Sequence, residues 1–155
     1  MYWRIGRAYT RRPREQNRAA LRALAMEGPP PGLLAFDRDL AVGWCQLTPR
    51  SALPWLNGRL SLGADGERVW SASCFYVRRG YRRRGVSSAL IAAAVQTAKE
   101  AGASSLEAYP VDTNHAQSTR NVFTGTASAF RRAGFKRVAE RPHGRLVMRH
   151  DLEHP

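Results

Sequence analysis

Residues 69–110 decide the fold of this chain, and they read VWSASCFYVRRGYRRRGVSSALIAAAVQTAKEAGASSLEAYP. The first nine residues are mostly apolar and rich in β-forming types, which predicts a strand. Residues 78–88 then form a basic loop with two glycines, and residues 89–101 have the composition of a helix that Gly102 ends. A second short strand is predicted over residues 105–109.

A basic glycine loop between a strand and a helix is suited to bind phosphate. The first N–H groups of a helix point at such an anion, and the helix dipole favours negative charge there. Arginine side chains add charge-assisted hydrogen bonds, although a solvated basic turn would have the same composition. The predicted phosphate contacts are Arg82, Arg83, Arg84, Gly85, Val86, Ser87 and Ser88.

The hexapeptide Arg82-Arg83-Arg84-Gly85-Val86-Ser87 resembles the pyrophosphate-binding signature of GNAT-superfamily N-acetyltransferases. That signature is Arg or Gln, two residues, Gly, one residue, then Gly or Ala, so Ser87 departs from it while still being small. A later landmark, the segment FRRAGF at residues 130–135, is similar to the family's Gly-Phe between a late helix and a strand. The resemblance extends over residues 30–152.

The resemblance implies an α/β protein of the α+β type, with a mixed, mostly antiparallel central sheet flanked by helices, in a single domain over residues 1–155. It also implies acetyl-CoA as the cosubstrate and a small-molecule or peptide amine as the acceptor, and it is compatible with a homodimer. The GNAT fold usually opens with a strand and one or two helices. Here only residues 2–5 and one clear helix precede the first hairpin, so a shortened N-terminal region is expected.

Composition limits the other possibilities. With 155 residues and 43% hydrophobic content, the sequence indicates one globular domain. No apolar run approaches the roughly 20 residues that would span a bilayer, and the N-terminus lacks the apolar core of a secretory signal. Cys45 and Cys74 lie in separate strand-like runs without metal-ligand spacing. We therefore expect a cytoplasmic protein without a metal site.

The net charge of +13 permits nucleic-acid binding. However, the arginines are spread along the chain, and we find neither a zinc-finger pattern nor the spaced aromatic residues of single-strand binders. A compositional bias together with coenzyme binding is the preferred explanation, and a nucleic-acid-binding protein is the less favoured one.

By the resemblance, the pantetheine arm of the coenzyme pairs with the strand edge near Phe75 and Val77, as an added strand would. The N–H of Phe75 is then the oxyanion donor, aimed at the carbonyl oxygen as charge develops there. Plain core packing of these side chains is compatible with this role, because the expected contacts are made by the main chain.

The general base has two candidates. Strand alternation places Ser105, Glu107 and Tyr109 on one face, and Glu107 is the one carboxylate of that strand. Burial can tune a glutamate for base catalysis, but Glu107 could equally be salt-bridged. His115, in the following loop, titrates near neutrality and is the rival, unless it is only a solvated polar group.

The proton donor is where the sequence leaves the family pattern. The family often has a tyrosine where this chain has Phe130, and a pantetheine-binding asparagine where it has Phe123. Tyr109 or Tyr76 could protonate the leaving thiolate, or the thiolate could leave unaided, since a thiol has a pKa of about 8.5. Core packing is the preferred interpretation of both phenylalanines, and the alternative is that they form the wall of an apolar pocket. The alternative function is an acyl-CoA-binding module with weak or lost turnover.

Outside this region, the patterns predict a helix over residues 14–26, a hairpin of strands over residues 33–36 and 41–47, and a long loop over residues 49–67. Near the end of the chain they predict a short helix over residues 126–133 and two final strands over residues 135–139 and 146–152.

Overall fold

The computed structural model describes residues 1–56, 68–112, 122–141 and 144–152. In these ranges the strands form one six-stranded sheet. In chain order the strands are β1 (Gly32–Asp37), β2 (Leu40–Pro49), β3 (Val69–Val77), β4 (Ser105–Ala108), β5 (Lys136–Arg141) and β6 (Arg145–Asp151).

The strand order across the sheet is β1-β2-β3-β4-β6-β5. Only the pairing of β3 with β4 is parallel, and the other four pairings are antiparallel. The mixed, mostly antiparallel sheet predicted from the sequence is therefore confirmed. The parallel pair needs a crossover between its strands, and the alanine-rich segment after the glycine loop supplies it as a helix.

The described helices are α1 (Tyr2–Ile5), α2 (Ala8–Arg11), α3 (Arg14–Glu27), α4 (Val86–Glu100) and α5 (Ala127–Arg132). Short 3₁₀ turns occupy Arg50–Ala52, Arg79–Tyr81 and Val122–Thr124. The crossover helix α4 buries one stripe of side chains against the sheet, at the spacing of a single helix face. Those side chains are Leu90, Ile91, Ala94 and Ala98.

Two apolar clusters cover opposite faces of the sheet. Leu146 and Met148 belong to the larger cluster under α4 and α5, whereas Val147 between them belongs to the smaller one. Alternation along β6 puts these neighbours on opposite faces. The smaller cluster contains Leu53, Leu56, Tyr109 and Val147, with Trp3 packed against it.

The N-terminal segment is helical. Residues 2–5, the stretch that was a candidate for a first strand, form α1, and among the described residues no strand precedes β1. The Arg4 Nη1 atom donates a 3.1 Å hydrogen bond to the carbonyl of Ala52, which ties α1 to the segment after β2. The N-terminal region thus begins with helices in place of a first strand, and Trp3 of α1 packs against the smaller cluster.

Helix α4 begins earlier than the sequence analysis predicted. Val86, Ser87 and Ser88 were assigned to the basic glycine loop, yet they form the first turn of the helix. Gly85 is the N-cap residue with φ of 82°, a left-handed conformation that glycine adopts without steric cost. That backbone turn, rather than side-chain composition, determines where the helix begins.

Within the described ranges, none of the helices has the combination of length and apolarity needed to cross a membrane.

Candidate active site

The two central strands part in the middle of the sheet. The parallel pairing of β3 and β4 starts at Val69 with Ser105 and ends at Ala72 with Ala108. Beyond that point the chain after β4 reaches Pro110, which has no N–H with which to extend the ladder. In the part of the chain that the structure describes, the C-terminal half of β3 therefore has a free edge on its β4 side.

The free edge presents the main-chain groups of Phe75 and Val77. The N–H of Arg78 donates a 2.9 Å hydrogen bond to the carbonyl of Val42, so these two residues form a hydrogen-bonded pair of the β2–β3 ladder. Such pairs alternate along an antiparallel ladder. Counting back from Arg78, the main-chain groups of Phe75 and Val77 point away from β2 and toward the opening.

A β-bulge lies at the start of this free edge. Cys74 is opposite Gln46 and Ala72 is opposite Leu47, which leaves Ser73 as the extra residue of β3. A bulge bends the strand and increases its twist. The bulge thus turns β3 away from β4 at the position where their pairing ends.

A cleft of about 440 Å³ lies beside the free edge, between it and the helices α4 and α5. The sequence-predicted residues Phe75, Val77, Arg82 and Ser87 meet there. The Arg82 Nε atom donates a 3.2 Å hydrogen bond to the carbonyl of Val77, in agreement with that carbonyl pointing away from β2. The full lining is Phe75, Tyr76, Val77, Arg82, Ser87, Ile91, Phe123, Gly125, Thr126 and Ala129.

The glycine loop closes one end of the cleft. Both Arg83 and Gly85 have positive φ, and a Cβ atom added to Gly85 would meet no atom within 4 Å. The N–H groups of residues 86–88 are in the first turn of α4, where no carbonyl of the helix can accept from them. The side chains of Arg82 to Arg84 are exposed. The loop thus offers main-chain donors, positive charge and open space to an anion.

Tyr81 connects this loop to the β1–β2 hairpin. Its hydroxyl donates a 2.9 Å hydrogen bond to Oδ2 of Asp37, and that bond raises the pKa of Tyr81. The guanidinium of Arg84 lies 5.5 Å from the centre of the Tyr81 ring. This contact favours a defined position for the arginine at the helix start.

Glu107 is completely buried, on the sheet face opposite α4. Its carboxylate accepts hydrogen bonds of 3.2 Å at both oxygens from Arg50 Nη1, of 2.8 Å from Arg149 Nη2 and of 2.9 Å from the Tyr109 hydroxyl. A carboxylate has about four acceptor positions, and these four bonds use them all. The geometry matches the salt-bridged alternative, while the base role of Glu107 stays a prediction.

Tyr109 shares that face and is also fully buried. Burial, and then the neighbouring charge of Glu107, raise the pKa of Tyr109. A phenol with a raised pKa holds its proton more firmly, so Tyr109 is a weaker acid than a tyrosine in water. Tyr76, the other candidate donor, lines the cleft and is 53% exposed. The rival base His115 lies outside the described residues.

Phe130 packs in the core, as the sequence analysis preferred. Its ring is fully buried and makes edge-to-face contacts with Phe75, at 5.7 Å between ring centres, and with Phe135, at 5.0 Å. The same interpretation is wrong for Phe123, which is 63% exposed and lines the cleft. Phe123 lies in a 3₁₀ turn before α5 rather than on that helix, so no helix face carries it inward.

Three functional candidates were missed by the sequence analysis. Arg50 and Arg149 hold Glu107 from 57 and 42 residues away, and Trp3 reaches β3 from 70 residues away. The chain has 25 lysines and arginines, so no pattern singles out these two. The one available signal for Trp3 was its place in an aromatic and basic N-terminal segment.

In the described ranges, no group of three or more His, Cys, Asp or Glu side chains could hold a metal ion. Cys45 and Cys74 are free thiols, and burial raises the pKa of both.

The sequence profile described as the Acetyltransferase (GNAT) family matches residues 1–123. The chain belongs to this family. It is therefore an acyltransferase, and GNAT enzymes generally use acetyl-CoA. No protein of curated function matches the sequence significantly.

Solved structures of GNAT N-acetyltransferases have the same fold. A GCN5-related N-acetyltransferase from Kribbella flavida is 24% identical with a TM-score of 0.60, over 89% of this chain and 76% of that one. An N-acetyltransferase from Staphylococcus aureus Mu50 is 16% identical with a TM-score of 0.64, over 89% and 77%. A ribosomal-protein-alanine N-acetyltransferase from Brucella melitensis is 21% identical with a TM-score of 0.57, over 89% and 78%. At these identities the similarity shows that this chain has the GNAT fold.

Proposed function

We propose that this protein transfers the acetyl group of acetyl-CoA directly to a primary amine, and that residues 1–155 form one catalytic domain. The observation that carries the proposal is the free edge of β3, where the main-chain groups of Phe75 and Val77 face a cleft next to the glycine loop. A pantetheine arm is extended and contains amides, so it can add to such an edge as a strand does. The cleft therefore suits the coenzyme.

The phosphate end of the coenzyme would bind at the start of α4. The main-chain donors around Gly85 suit a pyrophosphate, and the exposed side chains of Arg82, Arg83 and Arg84 add charge. This end supplies affinity and fixes the register of the arm along β3. The reacting thioester would then lie further along the edge, near Phe75.

The reaction begins when the amine lone pair attacks the thioester carbonyl carbon. Negative charge develops on the carbonyl oxygen, and the N–H of Phe75 would donate to it. One such donor typically contributes a factor of about 10²–10³ in rate. A base takes one proton from the attacking nitrogen, the carbon–sulfur bond of the tetrahedral intermediate breaks, and the thiolate of CoA leaves, so that a neutral amide is formed.

The base is Glu107 or His115. Glu107 lies on β4 next to the point where the strands part, but it would have to release one of its four hydrogen bonds before it could accept a proton. His115 is the alternative. Replacing each residue separately and following the acidic limb of the rate profile distinguishes them.

The leaving thiolate needs little help, because a thiol has a pKa of about 8.5. If a tyrosine protonates it, Tyr76 is better placed than Tyr109, since Tyr76 lines the cleft whereas the Tyr109 hydroxyl already donates to Glu107. We propose that Phe130 has a structural role.

The acceptor is a small-molecule or peptide amine. Two similar structures carry the names of ribosomal-protein-alanine N-acetyltransferases, from Brucella melitensis and Escherichia coli. We therefore include the α-amine of a protein N-terminus among the acceptors to be tested, together with polyamines, amine antibiotics and small primary amines.

An amine panel with detection of the released CoA thiol tests the proposal. We expect thiol release with at least one amine, and acetylated product in equal amount by mass spectrometry. Thiol release without acetylated product would indicate hydrolysis alone and would contradict transfer. The Gly85→Val variant serves as the control, because it should lose turnover through lost coenzyme binding.

A second candidate is a GNAT protein that binds acyl-CoA with weak turnover. It is favoured by the absence of a hydroxyl on Phe130 and by the four bonds that occupy Glu107. Calorimetric acetyl-CoA binding without product from any amine would support it.

A homodimer and a cytoplasmic location stay predictions. Light scattering of the purified protein at several concentrations tests the first, and fluorescence imaging of the tagged protein in cells tests the second.

A further inference from the structure

The β3 bulge controls which main-chain groups face the cleft. Ser73 is the extra residue, and it follows Ala72, the last residue of β3 that pairs with β4. If β3 slipped by one residue to remove the bulge, each main-chain N–H beyond it would change sides. The N–H of Phe75 would then point at β2 and leave the cleft.

A tryptophan from the N-terminal helix holds this bulge. The Trp3 Nε1 atom donates a 3.0 Å hydrogen bond to the main-chain carbonyl of Ser73. The extra residue of a bulge is left out of the ladder, and Ser73 is fully buried, so its carbonyl needs a partner from elsewhere. The indole N–H is a donor only and suits that acceptor.

Trp3 is itself held by packing, because its ring lies against the cluster that contains Tyr109 and Val147. A donor anchored in this way can hold a main-chain group in one place, whereas a freely rotating side chain could not.

We propose that Trp3 is a positioning residue for acetyl transfer: its indole N–H holds the Ser73 bulge and so directs the Phe75 N–H at the thioester. The proposal rests on the proposed function, in which that N–H stabilises the oxyanion. Trp3 acts through Ser73, because it bonds to that residue and is absent from the lining of the cleft. Binding of the phosphates at the start of α4 does not depend on it.

The test separates the indole N–H from the docking of α1. In one variant Trp3 is replaced by 3-benzothienylalanine, which keeps the bicyclic shape and lacks the N–H, and Trp3→Phe is the genetically encoded counterpart. The matched control is Arg4→Ala, which removes the other hydrogen bond of α1 and leaves the bulge contact in place. Each is compared with the parent in kcat at saturating acetyl-CoA, in the acetyl-CoA dissociation constant and in thermal midpoint.

We expect both Trp3 variants to lose about 10-fold to 100-fold in kcat, which is less than complete removal of an oxyanion donor costs. Their dissociation constants should rise less than about threefold, since the phosphate contacts persist. Arg4→Ala should lower the thermal midpoint while its kcat stays near the parent value. A kcat loss of equal size in Arg4→Ala, or a parent-like kcat in the benzothienyl variant, would overturn the inference.

A second readout works without turnover. The main-chain amide resonance of Phe75 should shift when acetyl-CoA is added to the parent and to Arg4→Ala, and the shift should be lost in the Trp3 variants. If the parent acetylates no amine, the proposed function fails, and this shift alone decides whether Trp3 positions the Phe75 N–H. A shift retained in the Trp3 variants refutes that role of Trp3. A parent resonance that does not respond to acetyl-CoA refutes both the role of Trp3 and the proposed function.

Discussion

The hydroxyl of Tyr109 donates a 2.9 Å hydrogen bond to Oε2 of Glu107, and both side chains are fully buried. Arg50 and Arg149 bond to the same carboxylate from the segment after β2 and from β6. Glu107 therefore joins three parts of the sheet beside the point where β3 and β4 separate. Any substitution in this group acts on stability as well as on the reaction.

Glu107→Gln should lower the free energy of unfolding by about 3–5 kcal/mol, because it removes the buried negative charge to which the guanidinium groups of Arg50 and Arg149 bond. We also predict a lower acetylation rate, a flattened acidic limb of the rate profile and nearly unchanged coenzyme affinity. Urea unfolding and the rate against pH for a working acceptor check these expectations.

The matched control for this variant is Glu140→Gln, which breaks the exposed 2.9 Å ion pair between Glu140 and Arg137. An exposed pair typically contributes less than about 1 kcal/mol, so this variant should unfold like the parent. Acetylation by Glu107→Gln at the parent rate would move the base elsewhere, and His115 becomes the next candidate.

Tyr109→Phe removes a buried hydroxyl and leaves one lone pair of Glu107 without its donor. We expect a stability loss of about 1–3 kcal/mol. We expect kcat to fall less than tenfold, because the raised pKa of Tyr109 makes its phenol a weak acid in the parent. Thermal unfolding and steady-state kinetics measure the two effects. A kcat loss of a hundredfold at intact coenzyme affinity would instead make Tyr109 the proton donor.

The raised pKa of Tyr109 also predicts a pH dependence of stability. An unfolded tyrosine ionises near pH 10, before the buried one does. As the pH rises above about 10, the unfolded state therefore loses this proton first, and the stability that Tyr109 contributes is progressively lost. Urea unfolding at pH 9 and above should show a steeper decline in the parent than in Tyr109→Phe, and parallel declines would contradict the shift.

Gly85→Val should weaken acetyl-CoA binding by more than tenfold. A Cβ atom there would meet no atom of the described residues within 4 Å, but φ of 82° is strained for valine, and the branched side chain would occupy the space where we expect an anion to approach. Gly80→Val, in the same loop and also in open space but without a positive φ, should bind nearly as the parent does. Calorimetric titration compares the three proteins, and an unchanged dissociation constant for Gly85→Val would refute the phosphate site.

Phe130→Tyr tests whether the absent phenol matters. The ring of Phe130 lies between those of Phe75 and Phe135, and a Cβ atom on Gly125 would come within 2.8 Å of it. A hydroxyl added there loses its solvation, so we expect a stability loss of about 1–3 kcal/mol. A well-placed general acid contributes a hundredfold or more in rate, and we expect a smaller gain. An inactive parent that the tyrosine revives would favour a coenzyme-binding module that has lost its chemistry.

The candidate coenzyme site was partly predictable because its signals are local. The strand, the glycine loop and the helix follow one another along the chain, and Arg82 and Ser87 line the same cleft for that reason. The exact start of α4 was not predictable, since the left-handed turn at Gly85 allows the helix to include Ser87 and Ser88. The exposure of Phe123 was also missed, because it depends on a turn between two elements rather than on a repeating pattern.

The sequence by itself determined the family, the order of the main elements and the position of the basic glycine loop, all of which depend on residue types at short, regular spacing. Only the tertiary structure decided the environment of Glu107 and the partner of the Ser73 bulge. Arg50, Arg149 and Trp3 come from distant parts of the chain, and a lone arginine or tryptophan has no periodicity that foretells its partner. Long-range hydrogen bonds of this kind form only when the sheet brings separate strands and the N-terminal helix together, because their geometry depends on the packing of the whole fold.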